Sequence, residues 1–469
     1  MRLTRRQVLA GAAAGAVGAG AIYELVDQLA GGTPRRAAVG SHPAEQHLLD
    51  GVRVVDSQGI EVLVPPLHHE ILTARVAVDR ADLRDAQAEL ERVLGGLDDD
   101  YASSPAGLGV TVAWGLPYFR RLVPGAMRRH LPDDRRAGRP VLFDTQRFPS
   151  DPFDTKLESN DVAILVRSDS RAHIDDATKR IRDTELFQLT SIRRGFAGGG
   201  FGGGRSLPKQ MAEAAHVPGA DLIPDTSELF LGFTSTQKAG MGPGAIANFE
   251  TLGYVDFRGS DYFRNGTHMH LSHIHEDLEA WYLNFEFDER VATAFRPNLN
   301  VRQGTQTVRQ GPEDVSTTSD VHSDYRRSGR IGHSAAIQTT SRLERDFVAA
   351  DGTVYGKGTA IPVRADFNTL DNPFLWSARE GEVQPAPAAG VHFAVFNPTA
   401  DDFRRNRLAM DGVFPNSKIP FRPRDRDQGF NSVLSTTHRQ NFLVPPRRHP
   451  QLSVGGTLNL VPAAPATRF

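Results

Sequence analysis

Strand–helix units that recur in both halves of the chain predict an α+β fold of duplicated ferredoxin-like architecture. The first unit is "EILTARVAVD" (70–79), which alternates apolar and polar residues. It runs into "DRADLRDAQAELERVL", where Leu and Ala recur at helical spacing. "GLGVTVAWG" (107–115) is a second strand. "DVAILVRSDSRAHIDDATKRIRD" (161–183) is a strand feeding a helix, with Asp169 or Ser170 as its N-cap. The second half repeats the pattern in "NGTHMHLSHIHEDLEAWY" (265–282) and "GVHFAVFNPTADDFRRNRLAMDG" (390–412). The predicted organisation is a leader (1–30), a linker (31–70), a first ferredoxin-like domain (71–230) and a second (231–469), with a cleft on one of them.

The connecting segments carry less information. "AGGGFGGGRS" (197–206) lacks the strand-to-helix setting and the Lys-Ser/Thr ending of a phosphate loop, so it reads as a connector. Residues 297–330 are polar and rich in Gly, Thr, Gln and Arg, and read as a long loop or lid.

Composition excludes several classes. The 469 residues carry a formal charge of only −2, which offers no basic face for nucleic-acid phosphates. Cys is absent, so there is no disulfide framework, zinc–thiolate site or thiol nucleophile. No G-x-S-x-G elbow and no pair of carboxylates stands out, which argues against a hydrolase.

The N-terminus has the layout of a twin-arginine export signal: Arg5 and Arg6 precede an Ala/Gly/Val run to Ile22. That run is shorter than the ~20 apolar residues of a membrane span. Left uncleaved, it would serve as an anchor. The expected location is the periplasm, cell envelope or exterior.

Six segments, in chain order, resemble the dye-decolourising (DyP-type) haem peroxidases in their twin-arginine-exported branch. They are "ELFLGFTSTQ" (228–237), the 265–282 strand and helix, "GHSAAIQTTSRL" (332–343), "IPVRADFNTLD" (361–371), the 390–410 strand and helix, and "NFLVPPR" (441–447). The resemblance implies a dimeric α/β-barrel-like architecture, haem b as cofactor, and hydrogen peroxide and an organic reductant as substrates. It makes His333 the axial iron ligand and Arg364 the guanidinium on the opposite haem face, where it can stabilise charge as the O–O bond breaks. Gly232 and Phe233 would let the backbone pass close to the macrocycle. Arg264 and Arg302 are candidate partners for the propionates, and His270 would lie on a strand near the haem edge. The reductant's electron would enter at the haem edge or through a surface aromatic such as Trp281, Tyr282 or Trp376.

The chain departs from the family at Ser235, which aligns with the aspartate that shuttles protons. A serine hydroxyl is a poor general base without a partner. Asp366 is a candidate replacement, because two residues after Arg364 on an extended strand its side chain shares a face with the guanidinium. The alternatives left open are a haem-binding or haem-handling protein without turnover, and an exported scaffold without haem. A homo-oligomer is compatible with the sequence.

Other constellations admit simpler explanations. His268, His270, His273 and His275 could hold a metal only with a further ligand such as His322 or Asp324. His392 reads as a core or cleft histidine. "RRNR" (404–407) reads as a solvated helix face. "VAADGTVYGKG" (348–358) lengthens the interval between His333 and Arg364 and reads as a hairpin insertion.

Overall fold

The computed structural model describes residues 22–30, 42–57, 60–125, 127, 131–198, 204–233, 250–253, 255–256, 263–302, 315–348, 352–373, 386–414 and 429–447. The first half contributes strands β1 (His68–Val76), β2 (Gly109–Gly115), β3 (Val162–Ser168) and β4 (Phe187–Phe196). Helix α1 (Leu83–Asp100) follows β1, and α2 (Arg171–Asp183) follows β3. The strands lie in the antiparallel order β4-β1-β3-β2, which is the ferredoxin-like arrangement.

The second half repeats it. Its strands are β5 (Thr267–Glu276), the interrupted pair β6 (Val363–Arg364) and β7 (Phe367–Thr369), β8 (Gly390–Asn397) and β9 (Leu434–Val444). Their order is β9-β5-β8-β7, with β6 also on β8. Two short junctions, Asn368 with Phe196 and Phe442–Leu443 with Gly115–Trp114, join the two sheets into a closed ring. Closure gives the long strands a neighbour on both sides at the junctions, which span only one and two residue pairs. The duplicated ferredoxin-like, barrel-closed fold expected from the sequence is the one observed.

The period-2 pattern sorts side chains between the faces. Ile71, Ala163, Leu165, Met269, Leu271, Ala394, Phe396 and Phe442 point into the barrel. Leu72, Ala74, Val112, Ile164 and Val166 point outward beneath α1 and α2, whose Leu83, Leu90, Val93, Leu97, Ile174 and Ile181 complete an apolar core.

On the second half the outer face is covered by α3 (Leu278–Leu283), α4 (Phe287–Ala294), α5 (Thr318–Ser328), α6 (His333–Ser341) and α7 (Ala400–Met410). Here the layers enclose a cavity of about 280 Å³. The first half holds a smaller cavity of about 160 Å³, walled by Leu72, Ala74, Ile164, Ile181 and Leu189, so the larger space lies in the second half.

Several local expectations are corrected. The stretch read as a loop or lid contains α5. A reciprocal cap between Thr317 and Asp320 opens it, and Gly329 at φ 69° closes it. Its inward face sets Asp324, paired with Arg296 and Arg327 at 2.8 Å, beside a short apolar pair, Val321 and Tyr325, so the apolar stripe is weak in the sequence. Ser170 does stand at the N-cap of α2, but without a side-chain cap hydrogen bond, and Asp169 instead accepts from the Leu67 amide at 2.9 Å. The insertion after α6 is a hairpin: Phe347–Val348 pairs with Val354–Tyr355.

Residues 22–30, assigned above to the leader, pack into the body. Ile22, Tyr23 and Val26 are buried against the second-half helices. The Tyr23 hydroxyl donates to Asp371 at 2.9 Å and accepts from the Leu370 amide at 3.0 Å, while Asp27 pairs with His68 at 2.7 Å. No described helix is long and apolar enough to cross a membrane.

Candidate functional site

Helix α6 begins at His333, with Gly332 as its N-cap. A Cβ on Gly332 would collide with the Phe295 carbonyl, so only glycine lets α6 start this close to α4. The imidazole lines the cavity and packs at 4.8 Å on Phe430. Burial, aided by the positive charges of Arg364 and Arg407, holds its pKa down at about 3. The ring is therefore neutral. Its Nδ1 is buried with no hydrogen-bond partner among the described residues, which leaves Nε2 as the nitrogen able to face the cavity.

The sheet supplies the remaining polar groups. Val363, Ala365 and Phe367 point into the barrel, so the alternate residues Arg364, Asp366 and Asn368 point out into the cavity. A smaller adjoining cavity of about 100 Å³ shares Arg364, Asp366, Asn368, Leu229 and Val391 as walls and reaches His47, His69 and Arg167. Arg364 and Asp366 thus stand where the two spaces meet. Phe233 and Phe295 contribute apolar wall, with ring centroids 5.1 Å apart.

The remaining site expectations are not met in this form. Gly232 has φ 86° and does not line the cavity; a Cβ there would lie 2.9 Å from the Tyr282 hydroxyl, so it serves the seating of α3. Arg264 and Arg302 are exposed and line no cavity. His270 is spent on structure. Its Nδ1 meets Asn441 at 2.7 Å, its Nε2 meets Ser272 at 2.6 Å, and its ring stacks at 3.3 Å on Phe403. Ser235 and Trp376 lie outside the described residues.

Trp281 is fully buried rather than a surface aromatic, donating from Nε1 to the Leu231 carbonyl at 2.9 Å. No cluster of three or more His, Asp or Glu among the described residues is arranged to hold a metal ion. His322 accepts from Arg326 at 3.0 Å, Asp324 is taken by its arginines, and His273 packs tilted against His392, ring centroids 4.2 Å apart, in the barrel.

Five residues that sequence reasoning missed line the cavity: Asp151, Glu276, Arg342, Arg407 and Arg439. Arg407 lies on the buried face of α7 with Ala400 and Phe403, not on a solvated face. It bonds Asp411 at 2.6 Å, and Asp151 in turn pairs with Arg439 at 2.6 Å. Burial lowers the Arg439 pKa to about 10 despite Asp151. Arg342, at the end of α6, is likewise lowered to about 10 by burial and the like charge of Arg364. The 3-and-4 spacing of Ala400, Phe403 and Arg407 was a usable signal for the inward arginine. Asp151 and Arg439 had none, since they meet across 288 residues. The last, Glu276, ends β5 and is 8% exposed.

A neutral imidazole with a free nitrogen, an apolar enclosure and arginines on its walls fit a planar, anionic, iron-bearing macrocycle.

A family model described as a family of unknown function, DUF7405, matches residues 66–446. Among curated proteins none matches. Among solved structures, a DyP-type peroxidase from Cellulomonas bogoriensis is 17% identical with a TM-score of 0.50, covering 88% of this chain and 100% of that one. A dye-decolorizing peroxidase from Bacteroides thetaiotaomicron is 12% identical with a TM-score of 0.48, covering 87% and 99%. A Rhodococcus jostii DypB variant in complex with heme is 12% identical with a TM-score of 0.45, covering 82% and 95%. The chain belongs to the DUF7405 family and is built on the fold of the DyP-type peroxidases.

Proposed function

We propose that the protein is an exported haem b peroxidase that reduces hydrogen peroxide with an organic electron donor. The observation that carries this reading is the meeting of His333, Arg364 and Asp366 on the walls of one cavity. The fold shared with the Cellulomonas bogoriensis peroxidase and the ordered sequence segments support it. His333 would hold the iron through its cavity-facing nitrogen. Arg342, Arg407 and Arg439 supply positive charge for the propionates. When bound, haem supplies an iron centre that takes electrons from the donor and passes them to the peroxide.

The chain's own residues do the rest. The Arg364 guanidinium, fixed by β6, stabilises negative charge developing on the departing oxygen. Asp366, on the same face, is placed to take a proton from the incoming peroxide. The apolar wall of Phe233, Phe295 and Phe430 limits water around the reacting oxygens.

Haem titration followed in the Soret region tests the reading. The wild-type protein should acquire a Soret band at one haem per chain, and His333→Ala should weaken or lose it. Stopped-flow mixing with peroxide should then change that band rapidly in the wild type and at least tenfold more slowly in Arg364→Leu. Absence of a Soret band in the wild type refutes both haem binding and the peroxidase. A Soret band indifferent to peroxide leaves a haem-binding protein without turnover.

A further inference from the structure

Of the buried carboxyls lining the cavity, Asp151 is held by Arg439 at 2.6 Å, while Glu276 is left without a task by the mechanism above. Its backbone is fixed by pairing with Leu434 and by its amide donating to the Ala389 carbonyl at 3.0 Å. The helix that follows it, α3, is tied to the segment above the cavity: Trp281 donates to Leu231 at 2.9 Å and the Tyr282 hydroxyl to Phe230 at 2.7 Å. That segment leads directly to position 235, where the resemblance expects an acid and the chain has serine. The Glu276 side chain lines the cavity together with Leu231 and Phe233.

Its surroundings favour the neutral acid. Oε2 is buried with no hydrogen-bond partner among the described residues. The titratable groups acting on it are Asp366, from the strand pair across β8, and Tyr282 of α3, with Arg290 of α4 beyond the tyrosine. Asp277, the next residue, is turned away as the exposed cap of α3. A buried carboxylate with no partner is unfavourable. Burial, and then the negative charge of Asp366, raise the Glu276 pKa to about 8.

We propose that Glu276 is the proton donor of this cavity, a neutral carboxylic acid standing in for the acid absent at Ser235. The proposal rests on the peroxidase reading. Reduction of hydrogen peroxide to two waters takes two electrons from the organic donor and two protons. As the O–O bond breaks, the departing oxygen takes the Glu276 proton and leaves as water. The carboxylate then regains a proton from solvent.

Infrared difference spectroscopy of wild type against Glu276→Gln, with and without haem, reads the proton directly. The carbonyl stretch of a protonated carboxyl should be present at pH 6, disappear with a midpoint near 8, and be missing from Glu276→Gln. In the haem-loaded protein, the peroxide-driven Soret change should slow at least tenfold in Glu276→Gln at pH 6, with Glu276→Asp restoring part of the rate. No carboxyl band in the wild type, or an unchanged rate in Glu276→Gln, overturns the assignment while leaving the haem reading intact. No Soret band in any variant defeats the peroxidase reading and the donor role with it. The infrared band would then report only a buried acid.

Discussion

Holding Glu276 neutral should lower the stability of the fold at neutral and alkaline pH, by an amount the structure allows one to work out. The group titrates near 4.5 in the unfolded chain and near 8 in the folded one. The sign follows from proton counting. Between those values the native state binds more protons than the unfolded state, so stability falls as pH rises. The contribution is fully present below pH 4.5, declines through the window, and is constant above 8. Each pH unit in the window is worth about 1.4 kcal/mol. Integrating from pH 5 to pH 7.5 gives a loss of about 3 kcal/mol.

Glu276→Gln removes the titration. The amide's own fit in the cavity adds an offset, but that offset does not depend on pH. The stability difference between Glu276→Gln and wild type should therefore shift by about 3 kcal/mol in the variant's favour between pH 5 and pH 7.5. Urea unfolding of the haem-free proteins at the two pH values measures it. An offset that is the same at both would refute the reasoning, because it would mean that Glu276 is ionised in the folded protein at neutral pH.

Three further outcomes are expected. Asp151→Ala strips the partner from Arg439, which is 1% exposed, and should lower stability by about 3–5 kcal/mol in urea unfolding; a loss under about 1 kcal/mol would mean the arginines find other partners. Tyr23→Phe removes a hydroxyl bonded to both Asp371 and the Leu370 amide, and should lower stability by about 1–3 kcal/mol. An unaltered melting curve would show that residues 22–30 are not held in this way. Gly332→Ala drives a methyl into the Phe295 carbonyl and should displace the start of α6, weakening haem binding in a Soret titration at least tenfold. Wild-type affinity would show that His333 tolerates the shift.

Much of the architecture was legible because it is periodic. The alternation in 70–79 and 161–168 and the 3.6-residue spacing in 83–94 are local properties of the chain. α5 escaped notice because its inward face mixes the paired Asp324 with only Val321 and Tyr325, a pattern that imitates a loop. Arg364 and Asp366 could be put on one face because strand parity needs only neighbouring residues. His270 was misplaced for the complementary reason: parity gives its face, but only packing shows Phe403 and Asn441 occupying it.

The sequence by itself determined the repeated strand–helix order, the candidate ligand His333 and the shared face of Arg364 and Asp366, all from short-range spacing and motif order. Tertiary structure alone decided where the larger cavity lies, that Arg407, Arg439 and Asp151 meet there, and that Glu276 is buried in its wall. Those are outcomes of side chains brought together over long stretches of chain. Burial then sets their charge, and the sequence carries no record of burial at a given carboxyl.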